Sequence, residues 1–213
     1  MPGKTKTVRF LDADDVCFTP SPSYSVSSLP SSSGPMTPPF QYQPMVAAPH
    51  PHLVLQPTGH NTPNLLYNVS LPAANVVPSK INAHMPQSVM LESATSPALS
   101  SVRIVHPRLG TKWAIVVTPA SGNFVRVADV LEGIYASLRQ NASSADYDCL
   151  PEHAKKEVTA AFQRRYHQMP DPTMQQMEKH KGLKRVDFLG ATVAFHGLVP
   201  STAVPGAFEL CVL

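Results

Sequence analysis

Cysteine is scarce in this chain: 213 residues hold three, Cys17, Cys149 and Cys211. An odd number without framework spacing argues against a disulfide scaffold and suits a reducing compartment. Charge is sparse as well. Only 15% of residues are charged and the formal net charge is +3. That falls short of the basic excess of a protein living on phosphate backbones, so nucleic acid is not an expected partner. No run approaches the roughly 18 apolar residues of a membrane span. The basic start of MPGKTKTVRFLDADD leads into no apolar stretch, so neither secretion nor a membrane is expected. The expected location is intracellular, in cytoplasm or nucleus. GxGxxG, GxxxxGKS/T, GxSxG and HExxH are all missing, as is any CxxC. On motifs alone no catalytic residue, metal ligand or cofactor is assigned, and the chain does not read as an enzyme.

What the chain has is proline, unevenly spread. Residues 1–100 hold 16 of the 23 prolines but only 8 of the 31 charged residues. Residues 101–213 hold 13 basic and 10 acidic residues, so the whole excess charge sits there. Between residues 16 and 50, Pro20, Pro22, Pro30, Pro35, Pro38, Pro39, Pro44 and Pro49 alternate with serines. Proline removes backbone donors, and small polar residues bury too little apolar surface to offset the entropy of ordering. Residues 1–50 therefore read as a disordered Pro/Ser-rich tail, and residues 51–213 as a single small domain with a loose loop at about 73–98.

Within the domain, Leu65 to Leu71 alternates as a strand between Pro63 and Pro72. Val102–Val105 is a second strand, and Trp113–Val117 a third, placed centrally. A helix follows from about Ala128 to Gln140, with apolar Leu131, Ile134, Tyr135 and Leu138 at helical spacing. Asp129 in its first turn and Arg139 at its end suit the helix dipole. A second helix starts at Pro151, a favoured proline position, and runs to about Met169. Its expected buried stripe is Ala154, Val158, Ala161, Phe162 and Tyr166. A short helix is allowed for within Asp171–Lys181. Three strands close the chain, Arg185–Leu189, Thr192–Leu198 and Ala207–Val212, with Gly190-Ala191 as a hairpin turn. This order predicts an α+β fold, a mainly antiparallel sheet with two helices packed on one face, preceded by the disordered tail.

Four segments taken together resemble an uncharacterised domain family abundant in mushroom-forming fungi. They are Leu65-Leu66-Tyr67-Asn68-Val69-Ser70-Leu71-Pro72, Ile104-Val105-His106-Pro107, the run Val125 to Leu131, and Arg185-Val186-Asp187-Phe188-Leu189. The resemblance covers roughly residues 51–213, and such proteins also carry a Ser/Pro-rich tail ahead of the domain. It implies a fungal origin and these domain limits, and no activity. Asn68 stands where the resemblance leads us to expect an aspartate.

Residues able to carry chemistry are few. Cys149 precedes His153 by four residues, close to the spacing of two ligands on a helix, but a metal needs three or four. His106 ends one strand and His196 lies within another. These four are the first suspects for an enzyme site assembled only by the fold. Asp129 with Glu132, and Asp146 with Asp148, suit helix ends better than an acid/base pair. Lys155, Lys156, Arg164 and Arg165 head a run of basic residues that would make a weak anion- or nucleic-acid-binding face.

The tail carries the sharpest partner suggestion. Lys6-Thr7-Val8-Arg9-Phe10 resembles the short motif by which many regulators dock on the catalytic subunit of protein phosphatase type 1. A disordered strand can add to a sheet edge while Val8 and Phe10 fill two pockets and Lys6 meets an acidic rim. Thr19, Ser21, Thr37 and Ser96 each precede proline and are candidate phosphosites, each phosphate adding roughly −1.5 to −2 charges. The leading expectation is a non-enzymatic protein-interaction module with a phosphorylatable tail.

Overall fold

The computed structural model describes residues 47–55, 64–78 and 85–213. The docking motif at Lys6, Val8 and Phe10 and the sites Thr19, Ser21 and Thr37 lie outside the described residues, as does Cys17. Strands β1 (Ala48–Pro49), β2 (Leu65–Leu66), β3 (Val77–Pro78) and β4 (Thr95–Ser96) form two antiparallel ribbons, β1 with β4 and β2 with β3. Strands β5 (Val102–Val105), β6 (Ile115–Val117), β7 (Phe195–Pro200) and β8 (Ala207–Val212) make one four-stranded sheet in the order β6-β5-β8-β7. The helices are α1 (Gln87–Met90), α2 (Val127–Leu138), α3 (Ser144–Asp148), α4 (Glu152–His167) and α5 (Pro172–His180). Short 3-10 turns occupy Ala73–Asn75 and Arg185–Leu189. The chain is a mixed α+β fold, and no helix among the described residues is long and apolar enough to cross a membrane.

The sheet is mixed rather than antiparallel throughout. β5 pairs antiparallel with β6 but parallel with β8, Ile104 facing Phe208. Between β5 and β8 in sequence lie β6, the helices α2 to α5, the 3-10 turn Arg185–Leu189 and β7, so the parallel pair joins distant parts of the chain. β6, expected at the centre, is an edge strand. β7 at the other edge is backed by irregular backbone: Leu198 N donates to Leu53 O at 2.7 Å, and Phe195 N donates to Tyr67 O at 2.7 Å. Leu55 passes so close that a Cβ on Gly197, whose φ is +149°, would sit 2.5 Å from the Leu55 nitrogen. Only glycine fits there.

α2 forms for the reason its spacing implies. Val127, Val130, Leu131, Ile134 and Leu138 are its buried stripe, each large side chain contributing roughly 1.5–3 kcal/mol by burial. Asp129 accepts the N–H of Arg126 at 2.9 Å and closes the helix start. The helix comes down on β6 at Gly133, whose absent side chain leaves room for Val117. The core gathers Leu53, Leu65, Ile104, Leu131, Ile134, Leu189, Phe195 and Leu198, all at most 1% exposed.

Several expectations are corrected. The strand at Leu65–Leu71 stops at Leu66, because the chain turns at Asn68, whose Oδ1 accepts the N–H of Ser70 at 2.9 Å. That is a local bond an aspartate makes equally well. The stretch 73–98 is not one loose loop: it holds a 3-10 turn, β3, α1 and β4, although residues 79–84 are outside the described set. β1 lies at 48–49, just inside the segment assigned to the tail. Arg185–Leu189 is a 3-10 turn and not a strand, so Gly190-Ala191 is no hairpin. Asp187 causes this, its carboxylate accepting the N–H of Lys184 at 2.8 Å and winding the segment tightly. α4 packs against this turn, so the second helix does not simply cover a sheet face beside α2.

Candidate functional site

α4 carries the chemistry of this domain on two of its sides. On the inner side, Arg165 is 7% exposed, with Glu178 of α5 at 4% and Asp187 at 2%. Its Nε and Nη2 donate to the two oxygens of Asp187 at 2.8 and 2.9 Å. Nη1 donates to Glu178 Oε1 at 2.5 Å, and Nη2 also reaches Gly182 O at 2.8 Å. Arg139 Nη2 and Lys181 Nζ each stand 3.0 Å from Glu178. Lys184 Nζ donates to Arg139 O and Asn141 Oδ1, both at 3.1 Å.

Burial opposes the charge on Glu178, but the Lys181 hydrogen bond and the fields of Arg139 and Arg165 outweigh it and hold the carboxyl at about 2. For Arg165, burial is likewise overcome, here by the Asp187 bond and the two carboxylates, so its pKa is raised. Burial, with Arg139 nearby, pulls Lys184 down. The cluster is closed upon itself and fastens α4, α5 and the 3-10 turn together. Glu178 is the one buried residue of α5.

This settles the proposed anion-binding face. Arg165 is turned inward and neutralised, so it presents no charge to solvent. Lys155 Nζ pairs with Glu152 at 3.0 Å, and Lys155 and Lys156 border one cavity while Arg164 borders others. Lys155 and Arg164 are nine positions apart, roughly half a turn around the helix. The four cations do not share a face.

The other side of α4 is a groove. His153, Glu157, Ala160, Arg164 and Gln168 follow one another at steps of three and four residues and so form one stripe. Three cavities adjoin this stripe. The first, of about 250 Å³, is lined by Leu150, His153, Ala154, Glu157, Val158, Phe188 and Arg108. The second, of about 280 Å³, shares Arg108 and Glu157 and adds Ala160, Arg164, Ala191 and Thr192. The third, of about 50 Å³, shares Arg164, reaches Asn68, Ser70, Gln168 and Val193, and has the Arg165–Asp187 pair of the inner cluster in its wall. Between the first two, Arg108 Nη1 donates to Glu157 Oε2 at 2.7 Å and to Leu189 O at 3.2 Å.

Among the described residues no hydrogen bond joins the suspects for a fold-assembled enzyme site to one another. Cys149 is exposed and ends α3, while His153 opens α4 beyond Pro151, so their spacing is not helical. His106 Nδ1 accepts the N–H of Arg108 at 3.1 Å, and burial followed by the Arg108 charge lowers its pKa. His196 is half-buried in β7. Burial and then Glu209 raise the Cys211 thiol. Among the described residues no three His, Cys, Asp or Glu side chains group as a metal site.

One arrangement was invisible from the sequence. His50 Nε2 stands 3.0 Å from Glu92 Oε2 beside a cavity of about 480 Å³ that also meets Ser93, Thr95 and Ser96. A serine triad needs the second imidazole nitrogen free for the hydroxyl. Here Nδ1 accepts the N–H of His52 at 3.2 Å, Ser93 Oγ donates to Thr95 O at 2.8 Å, and Thr95 Oγ1 donates to Pro97 O at 2.8 Å. Ser96 itself is exposed on β4.

Sequence reasoning singled out His153 and Arg164 of the groove and missed Arg108, Glu157 and Gln168. It also missed Glu178 and Asp187. The available signal was Asp187, a lone carboxylate inside the apolar run Val186–Leu189. No curated protein and no solved structure matches the chain. Residues 65–206, more than half of it, match the Family of unknown function (DUF6699), and the chain belongs to that family.

Proposed function

We propose that this domain is a protein-interaction module that receives an extended segment of a partner polypeptide along α4. The observation carrying this reading is the stripe His153, Glu157, Ala160, Arg164 and Gln168, with three neighbouring cavities that share Arg108, Glu157 and Arg164 as wall residues. The volumes of the three favour a polymer over a small molecule, which prefers one enclosed pocket of ~300–1,000 Å³. α4 has 16 residues, a length of about 24 Å, which about seven residues of extended chain cover. Leu150, Ala154, Val158 and Phe188 give an apolar floor at one end, and Asn68, Ser70 and Gln168 give polar groups at the other. Ala160, Ala191 and Gly190 keep the middle low enough for a backbone to approach.

The N-terminal residues extend the reading. Lys6, Val8 and Phe10 dock on a protein phosphatase, and phosphorylation of Thr19, Ser21, Thr37 or Ser96 changes the charge beside that motif or on the domain. The enzyme alternative is less favoured, because His50 and His106 each accept a backbone N–H and the Ser93 and Thr95 hydroxyls beside His50 donate to backbone carbonyls.

Photo-crosslinking tests the groove. A photoreactive residue at Ala160, in the full chain in a native extract, should trap discrete polypeptide adducts that the same residue at exposed Val116 does not. Excess unlabelled parent chain should compete them away. An Ala154→Arg chain, checked to unfold at the parent's denaturant concentration, should not. Identical adducts from positions 160 and 116, or equal competition by both chains, would rule the groove out.

A further inference from the structure

We infer that the central cavity of the groove is a carboxylate site, taking the side chain of one Asp or Glu from the partner segment; this rests on the groove reading above. The cavity is lined by Arg108, Glu157, Ala160, Arg164, Ala191 and Thr192. Two guanidinium groups meet one carboxylate there, which leaves one positive charge unmatched. Arg164 is exposed and forms no ion pair among the described residues. Arg108 is bound to Glu157, but their side chains are 47% and 51% exposed. A bridge that wet contributes little to stability, so Arg108 exchanges Glu157 for an incoming anion at little cost.

The charge count selects the ligand. One carboxylate neutralises the cavity, whereas a phosphate carrying roughly −1.5 to −2 charges overshoots it beside Glu157. Planar guanidinium forks match a carboxylate or a phosphate with two parallel hydrogen bonds, so the charge count and not the fork makes the choice. Thr192 adds no donor, because its Oγ1 already donates to Leu189 O at 2.8 Å. Ala160 and Ala191 leave space on either side for the main chain that carries the acidic residue. Specificity on this view is electrostatic at the centre of the groove and apolar at the Leu150 end.

Three bead-bound nonapeptide libraries with randomised flanks and a central Glu, Gln or phosphoserine test this with the labelled full chain. Retention on the Glu library should exceed that on the Gln library by about tenfold, and Arg164→Gln should remove that difference. Phosphoserine beads should retain no more than Glu beads. Equal retention on Glu and Gln beads, with both lost in Ala154→Arg, overturns the carboxylate site and leaves the groove standing. Stronger retention on phosphoserine that depends on Arg164 overturns it in favour of a phosphate. If no library exceeds the Ala154→Arg background, the groove and its carboxylate site fall together.

Discussion

Arg165 and Asp187 form a two-pronged ion pair, with Nε and Nη2 at 2.8 and 2.9 Å from the two carboxylate oxygens, across 22 residues of sequence. The pair is the joint between α4 and the turn that forms one wall of the groove. Removing Arg165 leaves the Asp187 charge buried with no ion-pair partner among the described residues, which typically costs about 3–5 kcal/mol. Removing Asp187 leaves Arg165 its bond to Glu178 and costs less. Arg165→Ala should therefore lower the unfolding free energy from a denaturant titration by about 3–5 kcal/mol, and Asp187→Ala by less. Arg164→Ala, one residue away but exposed, should change stability by no more than about 0.5 kcal/mol. Equal effects at 164 and 165 would contradict the assignment of the buried cation.

Glu178 gives the domain an acid limit. Its carboxyl is held at about 2 in the fold against an ordinary 4.5. A lowered folded pKa contributes stability that is complete above the unfolded value and is lost as pH falls through the folded one. The thermal midpoint should therefore fall between about pH 4.5 and pH 2, and Glu178→Gln should be less stable at neutral pH with a flatter acid limb. A parent midpoint that does not change over this range would refute the ion-pair role of Glu178.

Two glycines separate steric need from backbone freedom. Gly197 and Gly206 have φ of +149° and +74°, but only at Gly197 would a Cβ strike backbone, the Leu55 nitrogen at 2.5 Å. Gly206→Ala should cost about 1–2 kcal/mol, the price of a left-handed backbone. Gly197→Ala should cost clearly more, because Leu55 and β7 must separate. Similar losses in a denaturant titration would mean that the 53–55 segment is not held against β7.

The tail motif has a direct check. Val8→Ala combined with Phe10→Ala should abolish retention of a purified type 1 phosphatase catalytic subunit by the full chain, while the unfolding midpoint of the domain stays the same. Retention unaffected by the double change would rule out Val8 and Phe10 as the docking residues, and no retention by the parent chain would rule out the phosphatase.

α2, β5 and β8 were legible because their signal is local. Leu131, Ile134 and Leu138 repeat at helical spacing, and Val102–Val105 and Ala207–Val212 are short, mostly apolar segments with one charged residue each that occur as read. Arg185–Leu189 was not legible, since alternating Val186, Asp187 and Phe188 looks like a strand in any short window. The side chain that wraps this segment into a turn is Asp187, and its main partner is on another helix. Arg165 was misread for the same reason: a cation beside another cation looks solvated until Glu178 and Asp187 are brought to it. Half the groove was equally hidden, because Arg108 and Glu157 pair over 49 residues. His153 and Arg164 stood out by residue type alone.

The groove itself is best tested by where a bound peptide perturbs the backbone. The nonapeptide retained best from the Glu-centred library would be titrated into the isotopically labelled full chain while amide resonances are followed. The expected shifts centre on residues 153, 157, 160, 164 and 168 and on 189–193, with few changes elsewhere. Shifts centred on the His50–Glu92 cavity or on β6, with α4 unmoved, would contradict the groove.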